Sequence, residues 1–261
     1  MRATVVFLAL VITVLFAGVY STDRVSPRKL SSAVELVNVG EPLVIVQGGD
    51  GSQIDVMAAK AIADVLTFWS ENKLPHTGGV FTPPQKYVSF DSRYAPYGDQ
   101  VCGNLTRGFA NAGYCRNDES VVWDRGVLLP RVLRESGKTG LAMVFAHEIA
   151  HHAQAEAGVL STLSVKVSEQ QADCMAGAYL GWASRGGSDW LSTEPETSDN
   201  AMRFAAMIGD NPVSDAGTHG SGSERAWAIR QGFFNGLLVC AAINENVLSM
   251  RKQSNYLKAQ N

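Results

Sequence analysis

Apolar residues fall at helical spacing along most of this chain, and only a few short stretches alternate as strands do. Between residues 139 and 157, Leu141, Val144, Phe145, Ile149 and Ala153 mark one side of a helix, with Thr139 placed to cap its start and Gly158 to stop it. VKVSEQQADCMAGAYLGWA, 165–183, reads as a second helix. Ile54, Ala58, Ala61, Ile62, Val65, Leu66 and Trp69 predict a helix over 53–72, and residues 199–209 another. SERAWAIRQGFFNGLLVCAAINENVL, 223–248, is largely helical with Ser223 as its cap. The turn-rich region 73–126 holds the best strand candidates, KYVSFD at 86–91 and SVVWD at 120–124, and LVIVQ at 43–47 is at most a short strand. Val121 to Trp123 fits two descriptions, an edge strand to which a peptide could add or an ordinary core strand.

The ends of the chain differ from its middle. Residues 3–22 carry no charge, and ATVVFLALVITVLFAGV is almost wholly apolar, as in a secretory signal or an uncleaved signal anchor. No cysteine lies nearby, so a lipid-modified cysteine anchor is excluded. Residues 23–52 are expected to be a tether closed by the turn cluster GGDG, residues 53–250 the main domain, and 251–261 a frayed tail. A hydrophobic content of 46% provides for a real core. The net charge of −3, without a basic stripe, speaks against nucleic-acid binding. Four cysteines, at 102, 115, 174 and 240, allow three pairings. Cys102 with Cys115 closes a short loop and is the first choice, which leaves Cys174 with Cys240. Export favours such oxidation, and no close CxxC pair suggests a metal or redox motif instead.

The chemistry concentrates at His147-Glu148-Ile149-Ala150-His151. Two histidines four apart on a helix project from one face and can reach a single ion of zinc size. Glu148, next to the first, can take a proton from a water at such an ion. A catalytic zinc site needs a third ligand. Glu156 points to the opposite side of the helix and His152 is rotated away, so both are poor candidates. Glu169 and Asp173 again lie four apart on a helix: Glu169 could bind the metal while Asp173 accepts the free ring N–H of a ligand histidine. A solvated helix face is the competing reading of that pair. His76, in the loop LPHTGG, is treated as incidental.

HEIAHHAQ followed by EQQADCMAG resembles the bacterial neutral zinc metallopeptidase family of predicted metalloproteases, and more broadly is similar to zincins of the gluzincin type, HExxH with a downstream ExxxD. The resemblance takes in Cys102-Gly103, YCRNDESVVWD and THGSGSERAWAIRQGF, and spans about residues 55–240. It implies an α+β fold, a mainly helical zincin-like domain with a small antiparallel or mixed sheet packed on the HExxH helix. It also implies one zinc per chain held by His147, His151 and Glu169, with Glu148 as general base. His219 lies in a matching loop and either stabilises a developing oxyanion or pins the loop by hydrogen bonds, with Arg225 bracing that loop or binding a substrate carboxylate. The expected function is an exported zinc peptidase acting on a peptide or protein substrate, attached to the membrane if the N-terminal segment is uncleaved. The alternatives are a zinc hydrolase acting on a non-peptide amide, or an envelope protein whose metal is only a clamp.

Overall fold

A computed structural model of the chain describes residues 35–37, 44–191, 197–209 and 219–258. The apolar N-terminal run, most of the expected tether and residues 210–218 of the glycine-rich loop lie outside them. Five strands form one mixed sheet: β1 (Glu35–Val37), β2 (Val44–Gln47), β3 (Lys86–Phe90), β6 (Ala112–Cys115) and β7 (Ser120–Asp124). Their order is β1-β2-β3-β7-β6, with β2, β3 and β7 parallel and the two outer strands antiparallel to their neighbours. A separate small hairpin pairs β4 (Gln100–Val101) with β5 (Asn104–Leu105). The architecture is α+β and mainly helical, with the small mixed sheet resting against the longest helix.

SVVWD is buried along its whole length because β7 pairs with β3 on one side and β6 on the other. Val121–Trp123 is therefore a core strand, and the edge on that side of the sheet is β6. LVIVQ contributes β2, whose Val44 and Val46 are buried, so the sheet draws on the end of the stretch expected as a tether. Helix α1 (Gln53–Ser70) follows it, and its buried Asp55 accepts hydrogen bonds from Ser89 Oγ at 2.6 Å and Trp123 Nε1 at 3.2 Å.

Helix α2 (Leu128–Glu156) starts from the sheet itself. Asp124, the fully buried last residue of β7, accepts from the backbone N–H groups of Ser92, Gly126, Val127 and Leu128. That ties the otherwise orphaned first turn to the strand ends. Gly137, at φ 60°, then breaks the helix, so the HExxH segment begins as expected near residue 139. Thr139 does not cap it: its hydroxyl is buried with no hydrogen-bond partner among the described residues. The far end stops at Gly158, φ 74°, where Val159 N–H reaches Gln154 C=O and Gly158 N–H reaches Ala155 C=O. That double closure is the Schellman arrangement, and its left-handed residue favours glycine.

Helix α3 (Val165–Trp182) is capped by Ser164, and α4 (Thr197–Ile208) covers the predicted 199–209 helix. Helix α5 (Gly222–Asn235) begins two residues earlier than predicted, with Ser221 and Glu224 forming a reciprocal capping box in place of Ser223. Helix α6 (Glu245–Lys258) runs into the stretch expected as a frayed tail. Cys102 is bonded to Cys115 and Cys174 to Cys240, with Cα separations of 5.1 and 5.5 Å. Among the described residues no helix is long and apolar enough to cross a membrane.

Two glycines let α3 and α5 lie backbone to backbone. A Cβ on Gly177 would sit 2.0 Å from Ile229 C=O, and one on Gly232 would sit 1.7 Å from Cys174 C=O. Neither obstacle is a flexible side chain, so the helices would have to separate. Gly232→Ala is expected to destabilise the fold by about 3 kcal/mol or more, at the upper end of overpacking costs. Denaturant melts check this, and a change under about 0.5 kcal/mol, the scale of an ordinary surface substitution, would contradict the close approach.

Candidate metal centre

Helices α2 and α3 lie side by side and turn three ligand atoms toward one point. His147 Nε2 is 3.0 Å from Glu169 Oε2, His151 Nε2 is 3.3 Å from Glu169 Oε1, and the two Nε2 atoms are 3.2 Å apart. A tetrahedral ion with bonds of about 2.0–2.1 Å holds neighbouring ligand atoms roughly 3.3–3.4 Å apart. The observed triangle is close to that size. His147, His151 and Glu169 are all buried and form the one group of His, Cys, Asp and Glu among the described residues that could hold a metal.

The protons on the two rings follow from what stands behind them. His147 Nδ1 faces Asp173 Oδ1 at 3.0 Å, an acceptor, so Nδ1–H donates and Nε2 turns to the common point. His151 Nδ1 faces Gln154 Oε1 at 2.8 Å, with the same consequence. Two imidazole lone pairs and a carboxylate therefore converge in a buried space, an arrangement that repels unless a cation or a proton lies between them. In the metal-free protein that proton belongs to His147. Burial opposes its charge, but hydrogen bonds to Asp173 and Glu169 and their negative charges prevail and push it up to about 10. Burial likewise opposes ionisation of Glu169, and the two histidines overcome it and hold the carboxyl well below the usual carboxylate range. These donors, oxygen and imidazole nitrogen in a zinc-sized triangle, fit the ion that the HExxH pattern calls for.

Asp173 is buried completely, and its Oδ1 also accepts from Arg225 Nη2 at 2.7 Å. Arg225 is itself buried, and its guanidinium is the partner of Asp173 behind the centre. Burial works against its charge, while Asp173, Glu169 and Glu148 raise its pKa further. Glu148 is half-buried on α2 between the two histidines in sequence and is not one of the converging groups. His219 is half-exposed at the rim, its Nε2 3.9 Å from Glu169 Oε2, and its backbone carbonyl accepts from Gln170 Nε2.

The residues set aside in the sequence have other partners. His152 Nε2 donates to Thr82 C=O at 2.8 Å, so its Nδ1 accepts from Tyr114 Oη at 3.1 Å. Glu156 accepts from Thr82 N–H. With Tyr114, Arg116 and Glu119 these groups line a cavity of about 410 Å³ between β6 and the end of α2. His76 Nε2 lies 2.9 Å from Gln171 Oε1, and burial holds its pKa down. Gln154, Gln171 and the place of Arg225 escape sequence reasoning. Only Gln154 left a signal there, three residues after His151 and so on the same helical face.

Fold and centre together define an α+β domain whose HExxH helix and ExxxD helix meet over a buried His-His-Glu group. A family model described as "Putative neutral zinc metallopeptidase" matches residues 4–241, and the chain belongs to that family. No curated protein and no solved structure matches the chain.

Zinc must displace the proton on His147 to bind there. Loading near pH 7 is expected to release about one proton per ion from that ring. Because His147 stays protonated up to about 10, raising the pH removes the competitor and affinity should climb with pH across the neutral range. Calorimetry in two buffers of different ionisation heat measures the proton count, and uptake without proton release would contradict this charge state.

Proposed function

We propose that this chain is an exported zinc-dependent peptidase that hydrolyses peptide bonds with Glu148 as general base. What carries the reading is the position of Glu148: next to a metal ligand on the same helix, half-buried, and outside the ligand group. A metal used only as a clamp has no need of a carboxylate there and usually closes its fourth position with another side chain. His147, His151 and Glu169 would supply three ligands, and among the described residues no further His, Cys, Asp or Glu joins that group.

Bound there, zinc supplies Lewis acidity toward a substrate carbonyl and makes water easier to deprotonate. Glu148 takes the proton of the attacking water and returns it to the leaving amine. Asp173 holds His147 in the Nδ1–H tautomer, and Arg225 donates to Asp173 and fixes its carboxylate in place. His219, at the rim near Glu169, donates to the oxygen on which negative charge develops. The substrate is a peptide or protein chain, and the edge strand β6 suits an extended backbone because it pairs only with β7 among the described residues. Its Tyr114 donates to His152, which joins that edge of the sheet to α2.

Two disulfides support an oxidising compartment, in keeping with the charge-free run at 3–22. If that run is not cleaved, it holds the domain at the membrane.

Glu148→Gln is expected to keep zinc and lose about 10²–10⁴ of peptidase activity, the range for removing a general base. Zinc content and turnover of a peptide library are measured on the same preparation. Full turnover by the glutamine variant would end the assignment.

A further inference from the structure

The two ligand histidines are held from behind by different chemistry. His147 rests on a carboxylate that is itself paired with a guanidinium. His151 rests on an amide. Gln154 Nε2 points at the carbonyl of Ser168, 2.9 Å away, and a backbone carbonyl can only accept. The nitrogen of the amide therefore faces Ser168, and its oxygen faces His151 Nδ1 at 2.8 Å. That orientation requires the proton on His151 Nδ1 and leaves Nε2 bare toward the centre.

The amide is fixed in turn. Gln171 Nε2 donates to the carbonyl of Ile243 at 2.8 Å, which leaves Gln171 Oε1 to accept from Gln154 Nε2 at 3.2 Å. The same oxygen accepts from His76 Nε2 at 2.9 Å. Both glutamines are buried almost completely, so a flip of either amide would set acceptor against acceptor out of reach of water. Every proton in this relay is thus dictated by the carbonyls of Ser168 and Ile243.

We propose that Gln154, locked by Gln171, is the positioning residue that sets the tautomer and ring orientation of His151 for metal binding. The inference rests on the zinc reading of the centre. Its acceptor oxygen serves the metal ligand, whereas its donor nitrogen serves the fold by joining α2 to the start of α3. An amide gives His151 an acceptor without burying a further negative charge, which the neighbourhood of Glu169 and Asp173 would disfavour.

The two halves of the amide can be separated. Gln154→Leu removes both, and Gln154→Glu keeps an acceptor while losing the donor. Gln154→Leu is expected to weaken zinc binding about 10–100-fold, the usual effect of losing a ligand's orienting partner. Gln154→Glu is expected to melt at a lower temperature yet hold zinc within a few-fold of the wild type. Chelator competition gives the affinities, thermal melts the stability, and long-range ¹H–¹⁵N spectra of the wild type the tautomer of His151, which needs no variant to fold. Protonated Nδ1 with Nε2 on the metal is the expected signature. The positioning role is overturned by the opposite tautomer, by unchanged affinity in Gln154→Leu, or by affinity that falls with melting temperature alike in both variants. Failure of the folded wild type to take up zinc would instead sink the metal reading, and this inference with it.

Discussion

Asp173 is a carboxylate with no access to water, set between an imidazole and a guanidinium. A charge in that position is tolerable only while its partners stay in place: removing one partner of a buried pair typically costs about 3–5 kcal/mol. Much of the helical layer serves to keep those partners close. Arg225 lies on α5 and Asp173 on α3, and the guanidinium reaches the carboxylate because Gly177 and Gly232 let the two backbones touch. The Cys174–Cys240 bond begins one residue after Asp173 and ties α3 to the segment beyond α5. The close helix crossing, the disulfide and the buried ion pair therefore act on the same few residues, and His147 inherits its position from them.

The sheet acts on the other end of the same helix. Asp124 gathers four backbone N–H groups at the ends of β3 and β7 and starts α2 there. The break at Gly137 lets the next segment take its own direction, and that segment is buried nearly all round, from Thr139 to Gln154. A helix so enclosed cannot rotate to bring a different face to the centre. Phe145 packs edge-on against Trp123 of β7, which sets the face bearing His147 and His151 away from the sheet and toward α3.

Sequence spacing revealed the parts of this arrangement that are local. His147 with His151 and Glu169 with Asp173 are both four apart, and helical geometry alone puts each pair on one face. The meeting of those faces is tertiary, but carboxylates and imidazoles complement one another so specifically that the pairing could be anticipated. Arg225 could not be placed, because its neighbours in sequence form an ordinary capped helix start and its partner lies 52 residues away. His76 and Gln171 are 95 residues apart and belong to no spacing rule. Whether Val121–Trp123 lies at the edge of the sheet or inside it stays open in the sequence for a related reason. A pentapeptide with Val-Val-Trp at its centre fits any buried strand, and only the pairing of β6 outside it shows which strand is the border.

The charges at the centre balance in a way that joins these observations. Without metal, Glu169 and Asp173 face one guanidinium on Arg225 and one proton on His147, so two negative groups meet two positive ones. A divalent cation replacing that proton leaves one positive charge in excess, and Glu148, half-buried beside the ligands, is the nearby carboxylate able to offset it. A neutral amide behind His151 keeps this balance, whereas a carboxylate there would add a second compensating charge with no task at the open position. On the proposed mechanism, the same reckoning that makes Gln154 suitable behind His151 would leave Glu148 as the carboxylate to accept a proton when water attacks.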